Sequence, residues 1–139
     1  MVRHTFLCPL RWSDMDALGH VNNVQYLRLI EEARADFFHD AESLDHDLDE
    51  SFVVVRQEIE YKRQLHYRHE PLPIEMWISR ISHASFTMGA ELVDTIGEER
   101  VLYARAATVL ATINLADGRP RRVSQLLRDY LTPYLAAPE

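Results

Sequence analysis

The feature that most restricts the fold is a change of hydrophobic period. Between about Asn22 and His39, Tyr26, Leu27, Ile30, Ala33 and Phe37 recur at helical spacing. That is a core-facing stripe on one long helix. From Phe52 the period becomes two. Val53, Val55, Ile59 and Tyr61 alternate with Val54, Arg56, Glu58, Glu60 and Lys62, as in a strand with one wet face. Ile74–Ile81, Phe86–Thr95 and Val101–Asn114 read as three more strands. The links Ser82–Ser85 and Ile96–Glu99 are too short for crossover helices, so these strands are expected to be antiparallel. Val101–Asn114 is apolar on both faces and is expected to be a central strand, covered on both sides. A first strand is expected across Thr5–Leu7 and Leu10–Trp12. Ser124 can cap a last short helix from Gln125 to about Tyr134. Strands and helices do not alternate, which argues for an α+β chain, an antiparallel sheet wrapped around one long helix.

The chain has 139 residues, the usual size of one domain, expected here to span 1–139. Its net charge of −7 argues against nucleic acid as a partner, because phosphate backbones need basic faces. A local arginine cluster can still attract a small anion. Cys8 is the one cysteine. It rules out an internal disulfide and reads as a buried strand residue, with a reactive thiol as the other possibility. No apolar run approaches the roughly 20 residues of a membrane span. No apolar signal region follows Met1-Val2-Arg3-His4. A cytoplasmic protein without a membrane partner is the expectation.

Chemistry concentrates in the run from Arg11 to Arg34, "RWSDMDALGHVNNVQYLRLIEEAR". Two acids, a glycine, a histidine and two asparagines stand directly before the helix, where capping needs only one of them. Asp14 and Asp16 lie on the same side if the chain there is extended. Either one of them caps the helix or makes an Asx turn, or one is a catalytic carboxylate. The helix dipole favours such an anion by roughly 0.3–1 kcal/mol. Gly19 permits a turn that other residues resist. His20 either organises the loop or contacts a substrate. Asn22 and Asn23 can cap the helix and also face a pocket. His66-x-x-His69-Glu70 has no cysteines beside it and lacks the four-ligand pattern of a structural zinc site, so no metal is expected.

"DMDALGHVNNVQYLRLIEEAR" resembles the signature of the hotdog-fold acyl-CoA thioesterases of the 4-hydroxybenzoyl-CoA thioesterase-like group. The order and length of the rest of the chain agree. The resemblance implies a hotdog fold, a five-stranded antiparallel sheet around a long central helix, with a short C-terminal helix. It implies hydrolysis of an acyl-CoA thioester to free acid and coenzyme A. Asp16 matches the catalytic carboxylate, which attacks the thioester carbonyl or activates water to do so. Asp14 would support it. Gly19 matches the motif turn, and Asn23 stands near the acyl group where better-known members carry a tyrosine. Tyr26 reads as packing, and Glu31 or Glu32 with Arg34 as an ion pair on the helix.

Further expectations follow from the same likeness. An oxyanion-stabilising backbone N–H is expected within Asp45 to Val54. Ser85 is expected near the pantetheine. Arg119, Arg121 and Arg122 in "DGRPRR" suit coenzyme A phosphates by charge and fork geometry, unless they form only a solvated turn. Arg56, Arg80 and His83 are weaker candidates. Trp12, Tyr26, Phe52 and Phe86 would give the acyl pocket an apolar lining. Coenzyme A is part of the substrate, so no separate cofactor is expected. Active sites would lie between subunits, in a homotetramer built from dimers. Two other functions stay open: hydration or dehydration of acyl thioesters, which needs a histidine paired with an acid, and non-catalytic acyl-CoA binding, in which Asp16 is dispensable.

Overall fold

The computed structural model describes residues 2–39 and 50–136. Five strands, β1 (His4–Cys8), β2 (Glu50–Tyr61), β3 (Leu72–Ile81), β4 (Ser85–Ile96) and β5 (Glu99–Asn114), form one antiparallel sheet in the order β1-β3-β4-β5-β2. Helix α1 (Asn23–Phe37) connects toward β2, and a short helix α2 (Gln125–Leu131) follows β5. Pro9 follows directly on β1. It has no N–H to donate, and the strand does not continue to Trp12 as its sequence suggested. Trp12–Asp14 is instead a 3-10 turn.

Asn22 caps α1, its side chain accepting from the Val24 N–H at 3.0 Å. The helix buries Tyr26, Leu29, Ile30, Ala33 and Phe37. Leu29 takes the core place expected of Leu27, which is half-buried. At fifteen residues the helix is of ordinary length. Its backbone comes closest to β1 and β3, so it lies toward one side of the sheet rather than clearly along its middle. Ring contacts carry its packing to the other side: Tyr26 meets Tyr61 at 5.1 Å near one end of β2, and Phe38 meets Phe52 at 4.7 Å near the other.

The core lies between helix and sheet. Ile74, Met76 and Ile78 of β3, Met88, Ala90 and Leu92 of β4, and Ala104, Ala106 and Leu110 of β5 are buried there. The central strand is β4, and β5 lies next to edge strand β2. On β5 the residues Ala104 to Thr112 at even positions are buried, whereas Ala107, Val109, Ala111 and Ile113 are half-exposed. The two apolar faces of β5 thus mark a core face and a half-covered open face. β2 is exposed along most of its length, Val53, Val54 and Val55 included. Both α2, capped by Ser124, and the 3-10 turn Thr132–Tyr134 fall inside the helix expected at the C-terminus. No helix among the described residues is long and apolar enough to cross a membrane.

On the open face Trp77 lies across Gly89, with the Arg3 guanidinium 4.1 Å from its ring centre. Glu91 is nearly fully buried beside it and receives Arg3, Arg100 and Arg105. Burial would raise the Glu91 carboxyl, but hydrogen bonds from these arginines outweigh it and hold the group below its ordinary value. A Cβ on residue 89 would sit 2.2 Å from the Trp77 ring. Gly89→Ala must therefore push the indole off its stack, an overpacking cost of roughly 1–3 kcal/mol. A lowered thermal midpoint with an unchanged far-ultraviolet spectrum is the expected result.

Candidate active site

The two acids of the opening motif have opposite fates. Asp14 ends the 3-10 turn, where it is fully buried. Its carboxylate accepts from the Arg11 backbone N–H at 2.7 Å, from the Arg11 guanidinium at 3.1 and 3.2 Å, and from Arg28 Nη2 of α1 at 2.7 and 2.8 Å. Its carbonyl accepts from the Asn22 N–H at 2.8 Å. Asp14 thus ties the turn to the first turns of the helix. Burial acts to raise its carboxyl, but the Arg11 backbone N–H and the Arg28 and Arg11 side chains prevail and hold it below the usual carboxylate range.

Asp16 points the other way and is exposed. The backbone explains the difference. Asp14 is helical and Met15 is extended, so the two acids are not alternate residues of one strand. From Met15 the chain forms a small hairpin: Met15 bridges Val21, and the Asp16 N–H donates to the His20 carbonyl at 2.8 Å. The Gly19 N–H closes a turn onto the Asp16 carbonyl at 3.2 Å. Gly19 has φ +81° with open space around its Cα. Glycine is therefore required by conformation rather than by room, as in three-residue hairpin loops that end in a left-handed residue. Asp16 Oδ1 accepts from the Leu18 N–H at 2.8 Å and from the His20 N–H at 3.4 Å. Asp16 Oδ2 accepts no hydrogen bond among the described residues. An Asx turn is thus present and uses one oxygen only. Neither acid caps α1, because Asn22 does.

A cleft of about 340 Å³ opens beside Asp16, lined also by His20, Val21, Asn23, Tyr26, Tyr61, Lys62, Arg63 and Gln64. Asn23 is the first residue of α1, and its carbonyl accepts from the Tyr61 hydroxyl at 3.1 Å. A first-turn N–H has no partner inside its own helix, and that of Asn23 meets no other acceptor among the described residues. Burial raises the Tyr26 hydroxyl above its ordinary value, so this wall stays neutral. The His20 ring lies against the His66 ring, with centres 4.9 Å apart. Among the described residues the His20 ring makes no hydrogen bond to an acid; the histidine that does pair with an acid is His4, with Asp36 at 2.7 Å.

The other expected contacts sit elsewhere. Ser85 pairs with Ala111 at the far end of β5, whereas Tyr61 pairs with Ala104. Those seven residues of strand span about 24 Å. The segment holding Arg119, Arg121 and Arg122 folds back along the Ser85 end. Asn114 N–H donates to the Arg119 carbonyl, Arg121 N–H to Thr112, and Val123 N–H to His83. Asp16, His20 and Asn23 therefore share one cleft in a single chain, and Ser85 and the arginines form a second group well away from it. Gly19 does not line the cleft. Trp12 is exposed and packs on Tyr67, while Phe52 and Phe86 pack on each other and on Phe38. Of the four expected lining residues, only Tyr26 borders the cleft.

Of the segment expected to supply the oxyanion N–H, 45–49 lie outside the described residues. The remainder, Glu50–Val54, is the end of β2 remote from the cleft. On α1, Glu32 pairs with Arg28 at 2.5 Å rather than with Arg34. Arg34 is buried, and its Nη1 has no hydrogen-bond partner among the described residues. Burial lowers the Arg34 guanidinium, and the Glu31 charge opposes this. Cys8 is buried, and its thiol is pushed up to about 12 by burial and by Glu32, which fits a packed side chain rather than a nucleophile. Among the described residues no group of three or more His, Cys, Asp or Glu is placed to hold a metal ion.

Residues 10–131 match the family pattern of the thioesterase-like superfamily. Solved structures with the same fold include a probable thioesterase from Bartonella henselae, 30% identical, with a TM-score of 0.71 over 88% of this chain and 98% of that one. The PA5185 protein from Pseudomonas aeruginosa is 23% identical, with a TM-score of 0.84 over 98% and 94% of the two chains. The probable thioesterase YbaW from Escherichia coli is 24% identical, with a TM-score of 0.78 over 98% and 100%. No curated protein sequence matches significantly.

A group whose folded pKa is depressed stabilises the fold fully above its unfolded pKa and loses that contribution as pH falls through the folded value. Asp14 is such a group, with an ordinary value near 4. The thermal midpoint is expected to fall on acidification below about pH 4. Asp14→Asn should flatten part of that fall and cost roughly 2 kcal/mol at neutral pH, as for a charged hydrogen-bonded group left without its partners. A pH series of thermal melts on both proteins checks this.

Proposed function

The chain belongs to the thioesterase-like superfamily, and from that premise we propose that it hydrolyses acyl-CoA thioesters with Asp16 as the working acid. The observation that carries this reading is the state of the Asp16 carboxylate. One oxygen is tied to loop N–H groups, the other accepts no hydrogen bond among the described residues, and the residue lines a cleft beside a helix N-terminus. As a nucleophile, Oδ2 bonds to the acyl carbon as coenzyme A leaves, and water then cleaves the resulting mixed anhydride to the free acid and Asp16; as a general base, Oδ2 takes a proton from the water that attacks the carbonyl. In either route the net change is the same. Water is added across the acyl carbon–sulfur bond. The acid keeps the hydroxyl oxygen, and coenzyme A leaves as the thiol. Charge building on the carbonyl oxygen needs a fixed donor. The Asn23 N–H has the required properties: it is unsatisfied by its own helix and belongs to a residue of the cleft. It is the candidate donor within the same chain, beside the Asp45–Val54 segment, whose Glu50–Val54 part a partner strand would bring toward this cleft. His20 and the Asn23 side chain contact the acyl thioester in this reading.

The separation of the two groups, whose strand neighbours Tyr61 and Ser85 lie about 24 Å apart along β5, supports a homo-oligomer. β2 is an exposed edge strand with Val53, Val54 and Val55 uncovered, the kind of edge that pairs with another strand. Antiparallel pairing with the β2 of a second copy would place the Ser85 and arginine end of that copy beside the Tyr61 end of the first. Ser85, Arg119, Arg121 and Arg122 would then meet the pantetheine and phosphates of a coenzyme A whose thioester lies at Asp16 of the other subunit. The half-exposed open face, with Trp77 and Val109, would join such dimers into a homotetramer.

Thiol release from a panel of acyl-CoAs should show turnover by the native chain. Asp16→Asn and Asp16→Ala should lower it by at least about a hundredfold, the weight of a positioned acid or base. Tight binding without turnover in all three proteins would make the chain a binder instead. Sedimentation should give an oligomeric mass for the native chain. Val53→Lys combined with Val55→Lys should give a monomer that has lost turnover.

A further inference from the structure

We propose that His66 is a positioning residue for His20, fixing the plane of the His20 imidazole at the mouth of the Asp16 cleft. The inference rests on the thioesterase reading and adds to it a residue that neither the motif nor the cleft itself contains.

His66 lies in the segment that follows β2, and that segment is anchored at two places to the hairpin of Asp16 and the turn before it. The Val21 N–H donates to the carbonyl of buried Leu65 at 2.7 Å, which sets His20 and His66 opposite each other in an antiparallel bridge. Trp12 and Tyr67 pack edge to face with centres 5.8 Å apart and planes at 78°. Between these anchors the two imidazoles meet at 4.9 Å and 73°, one ring presenting its edge to the face of the other. His20 borders the cleft; His66 is exposed and does not. His20 is thus a cleft residue whose ring is packed against a residue outside the cleft.

The backbone of His20 also belongs to the loop of the working acid. Its carbonyl receives the Asp16 N–H, and its N–H reaches Asp16 Oδ1. A ring fixed on this backbone keeps a set distance from the Asp16 carboxylate. Small displacements of groups around a reacting carbonyl carry large rate penalties, so a ring that holds another ring affects turnover more than binding. The observed contact between the two rings is one of packing, edge to face.

The test uses the full chain with His66→Ala, His66→Phe, His20→Ala and the double variant His20→Ala/His66→Ala. Each is measured for kcat and KM on the best acyl-CoA of the panel and for thermal midpoint. His66→Ala is expected to lower kcat about tenfold, with KM within about twofold and the midpoint nearly unchanged because the backbone staples remain. His66→Phe keeps an edge-to-face ring and should restore most of kcat. In the His20→Ala background, removal of His66 should have no further effect, as for two residues acting as one unit. Native kcat in His66→Ala, no rescue by phenylalanine, or an equal loss without His20 would each overturn the proposal and leave the thioesterase reading standing. Absence of thiol release from every acyl-CoA by the native chain would overturn both.

Discussion

The site depends on a buried ion pair. Asp14 is fully enclosed and gathers the Arg11 backbone, the Arg11 side chain and Arg28 of α1 around one carboxylate. Removing that charge from water is costly and is offset only if its lone pairs are filled with good geometry, and here they are. The arrangement fixes the approach of the chain to the helix, since the Asp14 carbonyl also receives the Asn22 N–H and Asn22 is the helix cap. Everything between residues 14 and 22 is then a short hairpin with pinned ends. Asp16 need not fold inward to satisfy itself, because its neighbour has already met the structural demand.

That division of labour explains why two acids stand two residues apart. One is consumed by the fold. The other is held by a single oxygen in a turn that Gly19 makes possible, and it lines a cleft. The cleft joins elements distant in sequence: the hairpin, the first turn of α1, and the end of β2 with Tyr61, Lys62 and Arg63. The hydroxyl of Tyr61 bonds to the first carbonyl of α1, so the edge strand and the helix start move together. Any partner that pairs with β2 therefore acts on a strand that is itself a wall of the cleft.

Much of this was legible from residue spacing. The switch from helical to alternating period marked α1 and the four later strands, and Asn22 and Ser124 marked the helix starts. Local chemistry that competes with periodicity misled. Pro9 ended the first strand early, and the two apolar faces of β5 suggested a central strand although β4 holds that place. At the site, the motif pointed to the loop, but spacing alone placed Asp14 and Asp16 on one side because it assumed an extended chain. The grouping of Ser85 with the arginines, far from Asp16, follows from strand register, which depends on long-range pairing. The placement of Lys62 and Arg63 at the cleft and of His66 against His20 is not legible for the same reason: nothing in their own neighbourhood signals that the chain returns to the hairpin there.

The account is tested most directly by a crystal structure with a non-hydrolysable acyl-CoA thioether bound. It predicts the carbon that replaces the thioester carbonyl within about 3.5 Å of Asp16 Oδ2, the distance of a near-attack geometry, in the cleft between hairpin and helix start. An analogue seated with that carbon elsewhere, and Asp16 turned to solvent, would contradict it.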